Sequence, residues 1–275
     1  MKTRRLLVYV LAAIVVGSVL FGIWKFSSEP VPGPSPQAVK IRVGFIPITD
    51  CGQLYVAKDL GIFERYGLDV ELVPMAGGAA ILEALSSGSV DIGFANLASA
   101  VFYEERVGKL QRLAGGTFMN AQYSEAGLVV LNDSRIRNLT DLRGKTIAVN
   151  SVRNIVDLAV LRALRNQGIR SSEVRLVEMP FPNMEAALRA KKIDAAALPE
   201  PLLTKAMAGG GLTNLGDHFV LAFGEMYSTA YFTSESRFSS RSDAFERFNQ
   251  AMTEATPTTN GFNGKVLDAV SRYTK

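Results

Sequence analysis

One histidine, His218, and one cysteine, Cys51, are all that this 275-residue chain offers toward thiolate, imidazole or metal chemistry. That stock excludes a disulfide framework, a thiolate zinc site and a multi-histidine metal centre. A Ser-His-Asp triad would have to use His218, which stands beside an apolar run in Gly216-Asp217-His218-Phe219 and reads as a strand-edge residue. Cys51 reads as a small buried apolar side chain with no sign of an activated thiol. Neither G-x-G-x-x-G nor G-x4-G-K-[ST] follows any strand, so no nucleotide site is expected, and no metal or cofactor either.

The polar residues in the loops point instead to recognition. In Pro47-Ile48-Thr49-Asp50-Cys51-Gly52-Gln53, Asp50 and Gln53 have the spacing of a capping box, and an Asp50 carboxylate at a strand end could also pair with an amino or cationic group. Gly77 and Gly78 form a tight turn or let backbone amides approach a ligand at a helix start. Asn96, three residues before Ser99, suits a cap or a ligand contact equally. Asn150-Ser151-Val152-Arg153-Asn154 lies directly between a strand and a helix. Unpaired N–H groups there, with Ser151 and Arg153 as further donors, would make it the best anion site in the chain, although capping alone would explain Asn150 and Ser151. Glu200, between Pro199 and Pro201, could accept from an amine or ring N–H, or cap the helix after it. Phe118, Met119, Asn120, Phe181 and Tyr227 could supply an aromatic floor or pack in the core.

Alternating strands and short helices must position these loops. Residues 40–46, 68–74 and 90–95 read as strands, and 52–59 and 79–87 as helices. The pattern recurs about 103 to 105 residues later, with strands at 145–149, 174–179 and 193–198 and helices at 152–166 and 184–190. Ala84-Leu85-x4-Val90-Asp91 is matched by Ala187-Leu188-x4-Ile193-Asp194. The expected architecture is α/β with two lobes, each a mixed, mostly parallel sheet flanked by helices. Ligands of open α/β sheets bind beyond the carboxyl ends of the strands, which places the cleft between the lobes.

The chain is 48% hydrophobic and 20% charged, which excludes disorder and a polytopic membrane protein. Of its formal charge of +4, the first 38 residues hold +3, so the remainder is nearly neutral and no nucleic-acid partner is expected. Leu6 to Trp24 is an uncharged, mostly apolar run of 19 residues behind Lys2, Arg4 and Arg5. As a helix it would span ~28 Å, enough for a bilayer, with the rest of the chain exported. Residues 1–26 are therefore expected to be a membrane anchor, with a cleaved signal segment as the competing reading, and 27–38, with proline at 30, 32, 34 and 36, a semi-rigid spacer.

Several segments carry a resemblance. Tyr55-Val56-Ala57-Lys58-x-x-Gly61-Ile62-Phe63-x-x-Tyr66-Gly67-Leu68-Asp69-Val70, Leu85-x-Ser87-Gly88-x-Val90-Asp91-Ile92-Gly93, the stretch from Asp133 to Val149, and Ile193-Asp194-Ala195-Ala196-x-x-Pro199-Glu200-Pro201 look like the nitrate/sulfonate/taurine and thiamine-pyrimidine group of periplasmic solute-binding proteins. The resemblance implies the two-lobed (type II) periplasmic-binding-protein fold, with crossings near 120–130 and 220–230. The first lobe would comprise 39–123 and 224–275, and the second 124–223. It also implies a monomeric receptor for an ABC importer, held at the cytoplasmic membrane by its N-terminal segment. Facing the periplasm or cell surface, it would hand a small anionic or zwitterionic solute to a permease, with Thr49, Asp50, Gln53, Gly77, Gly78, Asn96, Ser99, Asn150, Ser151, Arg153, Asn154, Glu200 and Tyr227 as ligand contacts. An enzyme on the same fold, a pyrimidine-precursor synthase or a menaquinone-pathway lyase, is the alternative; the scarcity of cysteine and histidine and the export signal argue against it. Such proteins usually carry further helices beyond a segment like 265–275, so the first lobe is expected to be minimal or truncated.

Overall fold

Parallel pairing begins with β1 (Val39–Phe45), which lies between β2 (Leu68–Pro74) and β3 (Ile92–Asn96) in a computed structural model that describes residues 38–123, 125–261 and 263–274. The expected anchor, and all of the spacer except Ala38, lie outside those residues. Among the described residues no helix is long and apolar enough to cross a membrane. The helices α1 (Gly52–Asp59), α2 (Ile62–Arg65) and α3 (Gly78–Ser87) connect these strands, and α4 (Leu97–Arg106) leads to β4 (Leu110–Gly115). Between β3 and β4 lies β12 (Thr229–Ser234), antiparallel to both, which completes the order β2-β1-β3-β12-β4. It is buried from Thr229 to Thr233, as a central strand covered on both faces must be.

The second sheet comprises β6 (Ala126–Leu131), β7 (Thr146–Val149), β8 (Arg175–Glu178), β9 (Ala195–Pro199) and β10 (Leu212–Asn214), in the order β10-β6-β9-β7-β8. Here β7 pairs in parallel with β8 and β9, and β6 runs antiparallel to β9 and β10. Its helices are α5 (Ile155–Asn166), α6 (Phe181–Arg189), α7 (Leu202–Ala208) and α8 (His218–Phe223). The chain then returns to the first sheet, where α9 (Glu235–Asn260), bent at Arg241, and α10 (Gly264–Tyr273) pack on α1. At the passages between sheets, β5 (Phe118–Met119) and β11 (Met226–Tyr227) pair antiparallel as a separate two-stranded ribbon.

The sequence repeat has a structural meaning. Asp91 N–H donates to Arg42 O, and Arg42 N–H to Asp91 Oδ2, both at 2.8 Å. In the second sheet Asp194 N–H donates to Thr146 O at 2.8 Å and Thr146 N–H to Asp194 Oδ2 at 2.9 Å. Each aspartate thus locks the entry of one strand onto its neighbour. Asp91, only 5% exposed, also meets Arg237 at 2.7 Å and Arg42 and Arg241 at 3.3 Å. The two arginines from α9 fasten the returning chain to the first sheet.

A cavity between the two sheets

The carboxyl ends of β1, β3, β7 and β9 converge on a cavity with about 50 Å³ of room for water-sized centres. One water needs ~10–15 Å³ by the same measure, so the space accepts several waters or one small solute. The first sheet and its loops supply Ile46, Ile48, Asp50, Phe94 and Asn96. The opposite wall is built by Glu125, Asn150, Asn154, Phe181, Pro199 and His218. Every class of contact a small polar molecule needs is present except one: among the described lining residues there is no lysine or arginine.

Across the seam, Asn96 Nδ2 donates to Asn154 Oδ1 at 3.2 Å, and Thr49 donates to Glu200 O through N–H at 3.2 Å and Oγ1 at 3.4 Å. Such bonds contribute only about 0.5–1.5 kcal/mol each, an amount that ligand contacts can rival. Gly77 lets the halves approach, since a Cβ there would lie 3.0 Å from Asn150 Nδ2.

The charged groups of the cavity are carboxyls from opposite sides, Asp50 and Glu125, within hydrogen-bonding reach of one another. Burial, then the Asp50 charge and hydrogen bond, then Asp217 and Glu200, push Glu125 up to about 9. Burial raises Asp50 too, against hydrogen bonds from Glu125 and Thr117. Two carboxyls this close and withdrawn from bulk solvent do not both ionise, so the pair retains a proton at neutral pH. His218 is 1% exposed, and burial lowers it to about 4 despite Asp217, which leaves it neutral. Its Nδ1, Glu125 Oε2 and Asn150 Oδ1 are buried and meet no hydrogen-bond partner among the described residues. Each such atom costs about 1–3 kcal/mol, which a fitting ligand would recover.

The model of the NMT1-like family matches residues 34–265. The chain belongs to that family. It is 31% identical over 192 residues to the "Putative ABC transporter periplasmic binding protein" of Brachyspira hyodysenteriae, covering 64% of this chain and 53% of that one. It is 24% identical over 185 residues to the nitrate/nitrite binding protein NrtA of a Nostoc species, covering 61% and 42%. The chain spans about half the length, or less, of these curated relatives. Among solved structures, the alkanesulfonate-binding protein SsuA of Xanthomonas axonopodis pv. citri, bound to MOPS, superposes with a TM-score of 0.73 at 19% identity, over 87% of this chain and 80% of that one. That likeness establishes the periplasmic-binding-protein fold expected from the residues.

Of the contacts expected from sequence, this NMT1-like chain brings Asp50, Asn96, Asn150 and Asn154 to the cavity. The Asp50–Gln53 capping box does not form, because Asp50 lies within the short 3-10 turn Thr49–Cys51 and Gln53 donates to Met252 O and Thr256 Oγ1 on α9. Asn96 caps α4 by accepting from Ser99 N–H at 2.7 Å. Gly78 packs against Asn96, and Ser151 Oγ accepts from Asn154 Nδ2 at 2.7 Å.

At the expected anion site, four backbone donors are already bonded within the protein. Arg153 and Asn154 N–H donate to the Asp157 carboxylate at 2.9 and 2.7 Å, Val156 N–H to Asn154 Oδ1 at 3.0 Å, and Val152 N–H to Glu178 Oε1 at 2.7 Å. Asp157 is itself the acid that satisfies this helix start, so α5 begins at Ile155 rather than Val152. Arg153, with φ 55°, is exposed and not among the lining residues. The Glu200 carboxylate takes the Thr204 N–H and hydroxyl at 3.0 and 2.9 Å, which is the helix-capping role that was one of its two expected readings. Tyr227 is 70% exposed and faces Phe118 with centroids 4.9 Å apart, whereas Met119 and Phe181 line the cavity. His218 opens a helix capped by Asp217 rather than edging a strand. Glu125 was absent from the expected contacts; its partners are remote in sequence, and nothing local marks it.

Proposed function

We propose that this NMT1-like protein is the extracytoplasmic solute-binding component of an ABC importer, tethered to the cytoplasmic membrane by its N-terminal segment. It captures one small solute between its lobes and presents it to a permease on the periplasmic or cell-surface side. The observation that carries this reading is a cavity walled by both sheets, holding unpartnered polar atoms, at a seam bridged by hydrogen bonds of modest strength. Of the two solute kinds considered from sequence, a zwitterion suits the lining better than a bare anion, since the Arg153, Asn154 and Val156 N–H groups are already bonded and the ionisable acids of the cavity are carboxyls.

The test is a thermal-shift screen of the purified chain against taurine, alkanesulfonates, nitrate, aromatic carboxylates and aminopyrimidines, with hits taken to calorimetry. One-to-one binding at micromolar affinity or better, with the compound recovered intact, is the expected result. Turnover of any compound would move the reading to an enzyme on this fold.

A further inference from the structure

The cavity pairs two carboxyls across a seam, an arrangement that ordinarily repels. Asp50 follows β1 and Glu125 precedes β6, so each comes from a different sheet, and no described lysine or arginine among the lining residues answers them. The unbonded atoms point the same way. Glu125 Oε2 and Asn150 Oδ1 are acceptors, and neutral His218, 1% exposed, keeps Nδ1 unbonded in the same cavity. Three acceptor-capable atoms that meet no donor among the described residues thus line one space. A group that donates hydrogen bonds to these acceptors and also answers two facing carboxyls is a cationic N–H group, which a neutral hydroxyl is not.

We propose that Asp50 and Glu125 select the positively charged, N–H-bearing end of the captured solute, an ammonium, amidinium or protonated aminoheterocycle, with Asn150 Oδ1 and His218 Nδ1 as further acceptors. This rests on the capture reading above and goes beyond it in fixing the charge of the recognised group.

The proton held by the pair sets a signature. Burial, then Asp50, Asp217 and Glu200, all disfavour a charge on Glu125, and His218 beside them is neutral, so the pair keeps its proton at pH 7 with Glu125 as the holder. A cation docking there replaces that proton as the counter-charge, and the proton leaves to solvent. Affinity for the cation therefore rises with pH toward about 9, by up to ~tenfold per pH unit when one proton is released per ligand.

The experiment is titration calorimetry of the full purified chain with acetamidinium, ethylammonium and 4-aminopyridinium chlorides, against sodium nitrate and sodium ethanesulfonate. Each titration is run in two buffers of different ionisation enthalpy. Binding of at least one cation, proton release into buffer, and at least tenfold weaker binding by Glu125→Gln and by Asp50→Asn are expected. Binding of the anions but not the cations overturns the inference and leaves capture standing. Cation binding with no proton release, or with unchanged affinity in both variants, overturns it too. Should a variant fail to fold by circular dichroism, proton release by the unmodified chain decides alone. Binding of nothing, here and in the wider screen, overturns the capture reading together with this one.

Discussion

A carboxyl group set beside Asp50, Asp217 and Glu200 and withdrawn from water keeps its proton well past neutrality, as Glu125 does. The consequence for stability has a definite sign. With a folded value of about 9 against an ordinary 4.5, the folded chain binds more protons than the unfolded one between those limits. Stability from this group is therefore complete below 4.5 and lost as pH climbs to about 9. In melts without ligand, Glu125→Gln flattens that decline and is the more stable protein near pH 8; a variant whose melting temperature still falls as steeply as the parent's contradicts this. Asp91 is also buried, but three arginines meet its side chain. Asp91→Ala destabilises by about 2–4 kcal/mol in urea unfolding, discounted because the arginines are partly solvated. Asp194→Ala, its repeat counterpart with a side chain 38% exposed, costs about 1 kcal/mol or less. Equal losses at the two positions would contradict that ordering.

At the scale of elements, the helix α1 and the strand β2 were legible to the residue, because period and turn glycines agree there with tertiary packing. The start of α5 was not: Asn150 and Ser151 look like caps, but Asn154 and Asp157 form the capping box three residues later and set the boundary. Asp50 and Gln53 had the right spacing for a box, and the pull of α9 on Gln53 overrode it. The pairing of β12 with β3 and β4, and the meeting of Asp50 with Glu125, depend on segments far apart in the chain and carry no local signal. The α5 capping box yields a prediction of its own. Asn154→Ala removes both the cap and the Asn96 contact across the seam, lowering stability by about 1–2 kcal/mol. Gly77→Ala meets no backbone strain, since φ is 179°, but brings a methyl group to 3.0 Å from Asn150 Nδ2. Its ligand affinity falls several-fold with little change in melting temperature; equal affinity would mean that the halves need not approach so closely.

At the scale of the whole molecule, two sheets with separate helices share one cavity, and the strands of the second sheet, β6 to β10, fall in the chain between β4 and β12 of the first. Capture by closure predicts a smaller radius of gyration in solution scattering when ligand is added, and an unchanged radius would speak against lobe movement. Removing residues 1–26 releases the protein from membranes in fractionation, and retention without them would refute the tether.

Phe118 stands opposite Tyr227 in the β5–β11 ribbon, one of its two rungs. A disulfide staple there, Phe118→Cys with Tyr227→Cys, would act as a brake on the swing while leaving the cavity walls untouched. Such a protein would trade its guest with solvent slowly in both directions, and adding reductant would restore the pace. Residence time would then be governed by the torsional freedom of two short stretches of backbone as much as by anything the guest itself touches.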